Sequence, residues 1–594
     1  MTRPWRSRPR KRARHLPWWR RITRFLLDRD VDEDWVIIVF AAAIGAGAGY
    51  AIVGFYATVH LIQAGADWSV SHLGLPLDPR WAAFLLVPVG LGVARWMRFA
   101  LAGGGSGEMV PTLMVSVARQ RGELPVLRTL AKVFCAAVTL GAGGSLGAEG
   151  PVALAGGTVG SGLAQLFRFR ANRTKVLLGC GAAAGISAAF NAPIAGVMFA
   201  LEVVLGTFTV TALSPVVVAS VVGAVVSRAY LGSHPSFDVP TEFLLVSVRQ
   251  LGFYLALGLA TGLVAVFFVR IFYLALDFAE RMPVPWLGPP LVGGLLVAAA
   301  GFVHPQLLGP GRPGIQMVLF GQLAGLLALA VALLKGVTAG LTMGGGGAGG
   351  VFSPSLFVGA SFGSFFGLTI QSLFPGLGIR PEAYALAGMA GVLSGATFAP
   401  LTAIIIVFEM TNDYGLILPL MLVCVVSYVL ARGLNGDSIY TLALAREGEK
   451  IRPGVDRSVL ESVSVRECYD RDPDVVTEDA PVRDLLNRLR RSRQTDFPVV
   501  NRDLELVGVL SYPELARAVA QEDMGGLLLA ADLMLEDMET VSPDETLLEA
   551  MRKMGVRDLD FIPVVEGDGS HRLLGMLGRS HLMEAYETHV MFSD

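Results

Sequence analysis

The sequence predicts an all-α membrane domain that crosses the bilayer many times, followed by a smaller α+β region exposed to water. Hydrophobic residues make up 53% of the 594 residues and charged residues only 16%, whereas about a quarter of an average soluble domain is charged. No Asp, Glu, Lys or Arg occurs from Trp35 to Ala66 or between Lys175 and Glu202. Because about 20 apolar residues cross the hydrocarbon core of a bilayer, such runs indicate membrane helices. Ordinary charge density returns near residue 463, with alternating strand-like and helical patterns.

Composition divides the chain into four regions. We assign residues 1–34 to an N-terminal tail, 35–445 to the membrane domain, 446–462 to a charged linker and 463–594 to the soluble region. The first 24 residues carry ten basic residues and no acid, so the positive-inside rule predicts cytoplasmic termini. The tail runs almost directly into a membrane span, which makes anionic lipid, and not nucleic acid, its expected partner. We therefore expect a multi-pass protein of the plasma or inner membrane.

The two halves of the membrane domain repeat one interrupted pattern. GAGGSLGAEGP ends at Pro151 and GGGGAGGVFSP ends at Pro354, and glycines follow each proline five and nine residues later. Further along each half, a second proline is followed nine residues later by a glutamate, Glu202 or Glu409. Corresponding hydrophobic segments broken by Gly and Pro are typical of transporter folds with internal repeats. The pattern leaves the relative orientation of the halves open and favours a structural role for both glutamates.

The glycine-rich interruptions predict an anion site. A helix that begins inside the membrane leaves its first N–H groups without partners and carries a partial positive charge there. Several such ends that meet at one place bind an anion without Lys or Arg. The candidate helix starts follow Gly103–Gly107, Gly147–Pro151 and Gly349–Pro354. The alternative is that these glycines only permit close helix packing, but three runs, two of them in equivalent positions, favour the anion site.

The soluble region contains two copies of one unit, which we place at residues 463–521 and 522–594. In each copy the same 22 residues separate a valine from a strand-like Pro-Val-Val, from Val476 to Pro498 and from Val541 to Pro563. Each copy is predicted to run strand, helix, strand, strand, helix.

These motifs together resemble a known family. The chain is similar to the CLC chloride channels and chloride/proton exchangers in the segments GAEGP, AAGISAAFNAPIAGVMFALE, GAGGVFSPSLFVGA, FEMTNDYGLILP and SIYTLAL. Its C-terminal repeat resembles a CBS-domain pair. The resemblance implies many tilted and broken helices in two inverted repeats, and a homodimer with one pore per subunit. It also implies that chloride and related anions are carried and that protons take part.

The resemblance assigns roles to individual residues. The gating glutamate of the family corresponds to Glu149: its ionised carboxylate would occupy the anion site and block it, and its protonated form would swing away. The backbone N–H groups that hold the anion correspond to those of Val351 and Phe352, and the pore-lining tyrosine corresponds to Tyr440. The alternatives are a structural helix cap for Glu149 and an interfacial anchor for Tyr440.

Within the GAEGP motif, Gly147 and Gly150 are further expected anion-binding positions, because glycine lets the backbone approach an ion closely. The motif departs from the family at Ala148, where a basic residue is common. This replacement weakens the expected attraction of anions to the outer mouth.

Two further departures bear on the mechanism. Family exchangers carry a second acid on the cytoplasmic proton path at the position of Val203, whereas channels are apolar there; valine favours a channel, or an exchanger with a different internal proton route. In the first anion motif, GSGEMVP, Ser106 matches the family serine if two residues are inserted. We prefer Ser106 because its hydroxyl can donate to an anion. An ungapped match would put Glu108 there, and a fixed carboxylate repels chloride unless it is protonated.

The CBS-like pair is a candidate for binding an adenine nucleotide. Ser511 and Glu514 of the first copy provide a hydroxyl and an acid that can hold a ribose, whereas the second copy has His581 in place of the acid. A purely structural dimerisation role is the alternative. The transport pathway requires no cofactor, and the four scattered cysteines predict neither a disulfide framework nor a metal site.

The sequence therefore predicts chloride transport through a pore gated by a protonatable glutamate, more channel-like than tightly coupled, and no enzymatic activity. The first alternative is a chloride/proton antiporter with a non-standard internal proton route. The second is a CBS-linked divalent-cation transporter, which would need carboxylates along the membrane path, where few acids occur. The GGGGAGG run lacks the GxxxxGKS/T and strand–GxGxxG–helix contexts of phosphate-binding enzymes.

Overall fold

The structure is a computed structural model of the chain. It describes residues 33–72, 79–105, 107–232, 237–238, 249–282, 286–449, 463–482, 485, 496–511, 528–535, 538–556, 560–567, 571–582 and 584–585. The chain forms two compact units, Met1–Ile451 and Arg452–Asp594. The described part of the first unit is helical apart from isolated backbone bridges, and the second unit mixes short strands with helices.

The described part of the first unit contains seventeen α-helices. The first eight are α1 (Glu33–His72), α2 (Pro79–Ala100), α3 (Val110–Arg119), α4 (Val126–Gly141), α5 (Glu149–Phe167), α6 (Ala171–Phe190), α7 (Pro193–Phe199) and α8 (Val210–Leu231). The others are α9 (Arg249–Glu280), α10 (Gly288–Val303), α11 (Arg312–Leu319), α12 (Gly325–Gly344), α13 (Phe352–Leu373), α14 (Pro381–Thr397), α15 (Pro400–Thr411), α16 (Ile417–Asn435) and α17 (Ile439–Arg446). Seven helical stretches among the described residues are long and apolar enough to cross a membrane, judged by length and composition.

Small residues set the closest helix contacts, and they do so in the same way in both halves. A Cβ on Gly156 of α5 would collide with the backbone of Gly181 in α6, and the reverse also holds. The equivalent contact in the second half joins Gly359 of α13 to Gly388 of α14. The glycines that follow Pro151 and Pro354 by five residues therefore allow helix backbones to approach closely.

Two reciprocal caps give the relative direction of the halves. The carboxylate of Glu202 lies in a π-helical segment, Ala200–Leu205, that continues α7, and it accepts hydrogen bonds from the backbone N–H groups of Leu401 (3.1 Å) and Thr402 (2.7 Å) at the start of α15. The carboxylate of Glu409, near the end of α15, accepts from Ile194 (3.0 Å) and Ala195 (2.7 Å) at the start of α7. The end of each helix meets the beginning of the other, so the two are antiparallel and the repeats are inverted.

The second unit contains the two predicted copies. In the first copy, β1 (Val476–Thr477) pairs parallel with β2 (Asp496–Val500), which pairs antiparallel with β3 (Leu506–Ser511). In the second, a parallel bridge joins Val541 to β4 (Phe561–Val565), which pairs antiparallel with β5 (Leu573–Gly578). Helix α18 (Leu547–Val556) precedes β4. The equivalent helical stretch of the first copy lies largely outside the described residues.

Candidate anion pathway

The three glycine-rich breaks of the membrane domain meet at one place. The amide of Gly349 donates to the carbonyl of Gly107 (3.2 Å), and Gly147 and Gly350 exchange two backbone hydrogen bonds of 2.7 and 2.8 Å. Helices α3, α5 and α13 begin within three residues of these bonds. Their positive N-terminal ends are therefore neighbours, and the bridge between Gly147 and Gly350 is antiparallel, as expected for equivalent segments of an inverted repeat.

Glycine is required at this junction because the backbones touch. A Cβ on Gly350 would lie 2.9 Å from the amide nitrogen of Gly150 and 3.1 Å from Oε2 of Glu149. A Cβ on Gly147 would collide with the carboxylate of Glu149. Any side chain at these two positions would push the helix starts apart and displace the glutamate.

The first turn of α13 has unsatisfied donors. Within the described residues, the backbone N–H groups of Val351 and Phe352 donate no hydrogen bond, and both residues are buried. Buried N–H groups without partners are rare in proteins. Together with the positive end of the helix dipole, they form a site that favours a negative charge.

The carboxylate of Glu149 lies against this turn. The side chain is only 1% exposed; its Oε1 accepts a hydrogen bond from the hydroxyl of Ser353 in α13. Its Oε2 is buried and has no hydrogen-bond partner among the described residues. Residue Ala148, and not Glu149, occupies the N-cap position of α5, without a capping side chain. The carboxylate thus lies at the positive N-terminal end of α13.

Tyr440 completes the surroundings of the junction. It belongs to the first turn of α17, whose start is fixed by a reciprocal cap: the amide of Thr441 donates to the hydroxyl of Ser438 (3.1 Å), and the amide of Ser438 donates to the hydroxyl of Thr441 (2.8 Å). The tyrosine is 3% exposed and lies within electrostatic reach of both Glu108 and Glu149. Such burial favours the pore over a membrane-interface anchor.

Comparison with known proteins decides the family. A family model described as "Voltage gated chloride channel" matches residues 84–432, and the CBS domain model matches residues 465–521 and 530–588. The chain belongs to the CLC family. The CLC match makes it an integral membrane protein of several passes, in a family of channels and transporters, and a divalent-cation transporter is not favoured.

Some relatives of this CLC chain are named as channels and others as exchangers. It is 30% identical to the chloride channel protein CLC-f of Arabidopsis thaliana, covering 93% of this chain and 80% of that protein. It is 32% identical to the H(+)/Cl(-) exchange transporter ClcA of Vibrio parahaemolyticus, covering 70% and 91%. A solved slow cyanobacterial Cl-/H+ antiporter aligns with a TM-score of 0.62 at 27% identity, over 69% of this chain and 97% of that one. A eukaryotic CLC transporter shares the fold, with a TM-score of 0.61, 19% identity and coverage of 92% and 97%.

The structure describes only part of the first anion motif of this CLC chain. Ser106, the preferred candidate, lies outside the described residues. Glu108, the residue of the ungapped alternative, is described: it is 3% exposed and bridged through its backbone to Gly349. A buried carboxylate therefore lies at the start of α3, one of the three converging helices.

Val203 lies in the π-helical segment after α7 and is 8% exposed. This position therefore carries no acid, and the carboxylate of the neighbouring Glu202 caps the start of α15. The carboxylates of Glu202 and Glu409 thus have the structural role that the repeat predicts, because each satisfies the free amides of a helix start.

Sequence reasoning missed Arg312, the first residue of α11. Its guanidinium lies 5.0 Å from the ring centre of Phe190 and within electrostatic reach of Glu149 and Tyr56. Its Nη2 is buried without a hydrogen-bond partner among the described residues. The signal available in the sequence was a lone arginine between apolar runs of a membrane domain, where an ionisable residue marks a candidate site. Arg312 provides a positive charge beside Glu149 that Ala148 lacks.

Sequence reasoning also missed Lys335 of α12, which holds the loop that leads to Arg312. This lysine is completely buried. Its ammonium donates to the carbonyls of Leu307 (3.2 Å) and Gly309 (2.7 Å), and the amide of Gly309 donates to the carbonyl of Gly143 (3.1 Å) in the loop before α5. Lys335 therefore fixes the segment between α10 and α11 against the GAEGP loop.

The CBS unit contains a cavity of about 560 Å³, lined among others by Glu478, Val507, Gly508, Thr540 and His571. Ser511 ends β3, where it pairs with Asp496, and it is not among the described residues that line the cavity. Glu514 lies outside the described residues. The assignment of ribose binding to Ser511 and Glu514 therefore stays a prediction.

Proposed function

We propose that this protein carries chloride and related anions across the membrane along a path that the carboxylate of Glu149 opens and closes. The observation that supports this most directly is the hydrogen bond from Ser353 to Glu149, because it holds a negative group in front of α13. When Glu149 takes up a proton, it loses its attraction to the helix terminus and an anion can take its place. Val351 and Phe352 are the proposed N–H donors to that anion, with Gly147, Gly150, Ser106 and Tyr440 around it.

Two modes of transport use such a gate. Channel-like passage, the mode that the sequence favours, rests on the apolar Val203. Exchange of chloride for protons is the second candidate, and one observation favours it: Glu108 places a second carboxylate beside the converging helix starts. Two of the similar proteins are an exchange transporter and an antiporter by name.

Chloride release from proteoliposomes with simultaneous recording of pH tests the proposal. Wild-type chloride flux is expected to rise as pH falls, because protonation of Glu149 frees the site. Glu149→Gln, which mimics the protonated side chain, is expected to keep the flux and lose its pH dependence. Proton uptake against its gradient, driven by chloride, would identify exchange, and chloride flux without it would identify a channel.

The matched control is Glu382→Gln, at the start of α14, which alters a carboxylate away from the junction and should keep the wild-type pH dependence. An unchanged pH dependence in Glu149→Gln would refute the gate. Absence of chloride release from wild-type vesicles would refute anion transport altogether.

A homodimer is proposed on the membrane faces of α7, α8, α15 and α16. Helices α7 and α15 are shorter than the roughly 20 residues that cross a bilayer, and their first turns leave Ile194 (49%) and Leu401 (45%) exposed. Helix ends at membrane depth are stable only where protein or a wet cavity covers them. A second copy of the chain meets this requirement.

The remaining assignments are also proposals. We place both termini in the cytoplasm, on the basic composition of the first 24 residues. The CBS pair is proposed to regulate transport, with adenine-nucleotide binding as a candidate property. Ser511 and Glu514 stay the predicted ribose-binding residues.

A further inference from the structure

Glu108 lies beside the candidate anion site, and the proposed gating by Glu149 does not use it. It is in the loop that ends at α3, its side chain is 3% exposed and its backbone is bridged to Gly349. Its Oε1 is 3.3 Å from the hydroxyl oxygen of Tyr273 in α9. Its Oε2 is buried without a hydrogen-bond partner among the described residues. No salt bridge to this carboxylate occurs in the described part of the chain, although a buried charge normally has a partner.

The hydrogen bonds of Tyr273 show how this carboxyl group can hold a proton. The hydroxyl of Tyr273 has one proton and two acceptors in reach, the carbonyl oxygen of Ile439 at 2.8 Å and Oε1 of Glu108 at 3.3 Å. The shorter contact takes the hydroxyl proton. The longer contact is then a hydrogen bond only if Glu108 carries a proton and donates it to the tyrosine oxygen. If the hydroxyl rotates instead, it donates to an ionised Glu108, so both states of the carboxyl group have a partner.

One aromatic ring separates Glu108 from charged groups that water reaches. The guanidinium of Arg446 lies 4.9 Å from the ring centre of Tyr273 and is paired with Asp277. The side chains of this ion pair are 39% and 25% exposed. The titratable and charged groups that face Glu108 or its loop are Tyr273 from α9, Tyr440 and Arg446 from α17, Glu447 just after α17, Arg98 from α2 beside Gly107, and Arg128 and Lys132 from α4 beside Gly103 and Gly105.

On its other side, Glu108 shares a neighbour with Glu149. Tyr440 is within electrostatic reach of both Glu108 and Glu149, so the two buried carboxylates flank one tyrosine. Helix α3, which begins beside Glu108, packs against the π-helical segment that carries Val203. Helix α3 thus links the loop that carries Glu108 to the segment where exchangers of the family carry their second acid.

We propose that Glu108 is the inner proton-transfer residue of this transporter and takes over the function that Val203 cannot perform. A proton enters from the side of Arg446 and binds the Glu108 carboxylate. The O–H bond of Glu108 then breaks as the proton binds a water molecule of the pathway, and that water passes a proton to the carboxylate of Glu149. In balance the water is regenerated and one proton moves from the inner carboxyl group to the gate. The inference rests on the proposed anion transport with Glu149 as gate, in its second mode, the exchange of chloride for protons.

The test uses the full-length chain in proteoliposomes, with chloride and proton movement recorded together under a chloride gradient. Wild-type protein is expected to drive protons against their gradient. Glu108→Gln keeps the size of the side chain and a donor toward Tyr273 but cannot release a proton. Chloride movement should persist, while proton movement should fall by roughly tenfold or more, as for the loss of a positioned acid–base group. Glu123→Gln, an exposed acid in the loop before α4, should change neither flux.

A rescue separates proton transfer from a structural role. Val203→Glu in the Glu108→Gln background restores an acid at the family position, and proton movement is expected to return. A second variant, Tyr273→Phe, keeps the Glu108 carboxyl group but removes its hydroxyl partner. It should slow proton movement and leave chloride movement in place.

The outcomes distinguish failure of the inference from failure of the proposed function. No chloride movement in wild-type vesicles would remove the proposed function. Chloride movement without proton movement in wild type would leave a channel and overturn the inference. Wild-type coupling in Glu108→Gln would also overturn it. Loss of both fluxes in Glu108→Gln without rescue by Val203→Glu would assign Glu108 a structural role instead.

Discussion

Tyr440 is a proposed hydroxyl donor to the anion, and Ser438 and Thr441 fix the first turn of α17, which carries it. Tyr440→Phe removes this hydroxyl and keeps the ring, so the packing of the buried side chain is unchanged. The loss of one hydrogen bond to a charged anion is expected to weaken chloride binding by about 1.5–3 kcal/mol. Isothermal titration calorimetry with chloride measures this change.

Tyr384→Phe provides the matched control for that experiment. Tyr384 of α14 is also buried, at 1% exposure, and its hydroxyl has no hydrogen-bond partner among the described residues. Its ring stacks on Tyr254 with a centroid distance of 4.5 Å, and chloride affinity should be unchanged by the substitution. An equal loss of affinity in both variants would attribute the effect to packing and would remove Tyr440 from the pathway.

Arg312 is expected to attract anions to the gate in place of the basic residue that the GAEGP motif lacks. Arg312→Gln removes this charge from the surroundings of Glu149 and should lower chloride flux at low chloride by roughly tenfold, within the range for electrostatic focusing. Flux at saturating chloride should change less. Chloride-dependence curves in proteoliposomes give both values.

Ala148→Arg in the Arg312→Gln background supplies the charge from the GAEGP loop itself and is expected to recover flux at low chloride. If the double variant stays as slow as Arg312→Gln, the arginine acts through the packing of α11 on Phe190 and not through its charge.

The sequence predicts some of these residues and not others, for a physical reason. Glu149 and Val351 lie in Gly-rich segments whose chemistry is local, so the sequence pattern marks the segments and the resemblance to the family assigns the predicted roles. Arg312 and Tyr273 have proposed roles that depend on neighbours far away along the chain. Those neighbours are Glu149 for Arg312 and Glu108 for Tyr273, and no local pattern contains either contact.

At the scale of helices, the reciprocal caps of α7 and α15 stabilise the contact between the two repeats. Glu202→Gln replaces one of the two accepting oxygens with an NH2 group, which cannot accept a hydrogen bond, so the bond from either Leu401 or Thr402 is lost. A hydrogen bond to a charged group contributes about 1.5–3 kcal/mol, so a comparable loss of stability is expected. Glu409→Gln should have a similar effect at Ile194 and Ala195, and a lower unfolding temperature in detergent measures each loss.

The control for the caps is Glu123→Gln, which removes an exposed acid that caps neither α7 nor α15 and should leave the unfolding temperature unchanged. Because Glu202 and Glu409 satisfy different helix starts, the effects of the two substitutions should add. A cap variant as stable as the wild type would show that water or other groups satisfy these amides without the carboxylate.

The same caps show what the sequence can say about elements. The recurrence of Glu202 and Glu409 nine residues after a proline predicts equivalent helices, and the structure confirms that equivalence. Direction is different, because a parallel and an inverted pair have the same spacing along the chain. Only the hydrogen bonds from one helix start to the other helix end decide it.

At the scale of the whole molecule, both duplications were visible as spacing, and the structure places them in two separate compact units. The 22-residue interval in the soluble region becomes equivalent parallel pairings, Val476 with Val499 and Val541 with Val564. The three glycine-rich breaks were predicted to share one focus, and their backbone hydrogen bonds do join them. No spacing in the sequence predicts which helices form a dimer interface, because a helix that faces lipid and a helix at an interface are both apolar.

The proposed dimer interface can be tested at the stripe of exposed residues on α16, which consists of Leu418, Met421, Val425 and Val429. Cysteine placed at these positions in turn, in a Cys468→Ser background, should allow at least one to form a cross-linked dimer in membranes. The background removes the one described native cysteine that is not buried. Cross-linking is followed by the mobility of the chain on a denaturing gel.

The control stripe lies on α2, where Leu85, Val89 and Val93 are exposed with the same helical spacing. These residues should face lipid in the dimer, so cysteines there should give no cross-link under the same conditions. Both stripes are equally apolar and equally able to contact lipid. Their cross-linking should differ only if a second copy of the chain packs on α7, α8, α15 and α16. Cross-linking at α2 and not at α16 would place the dimer interface on α2 instead.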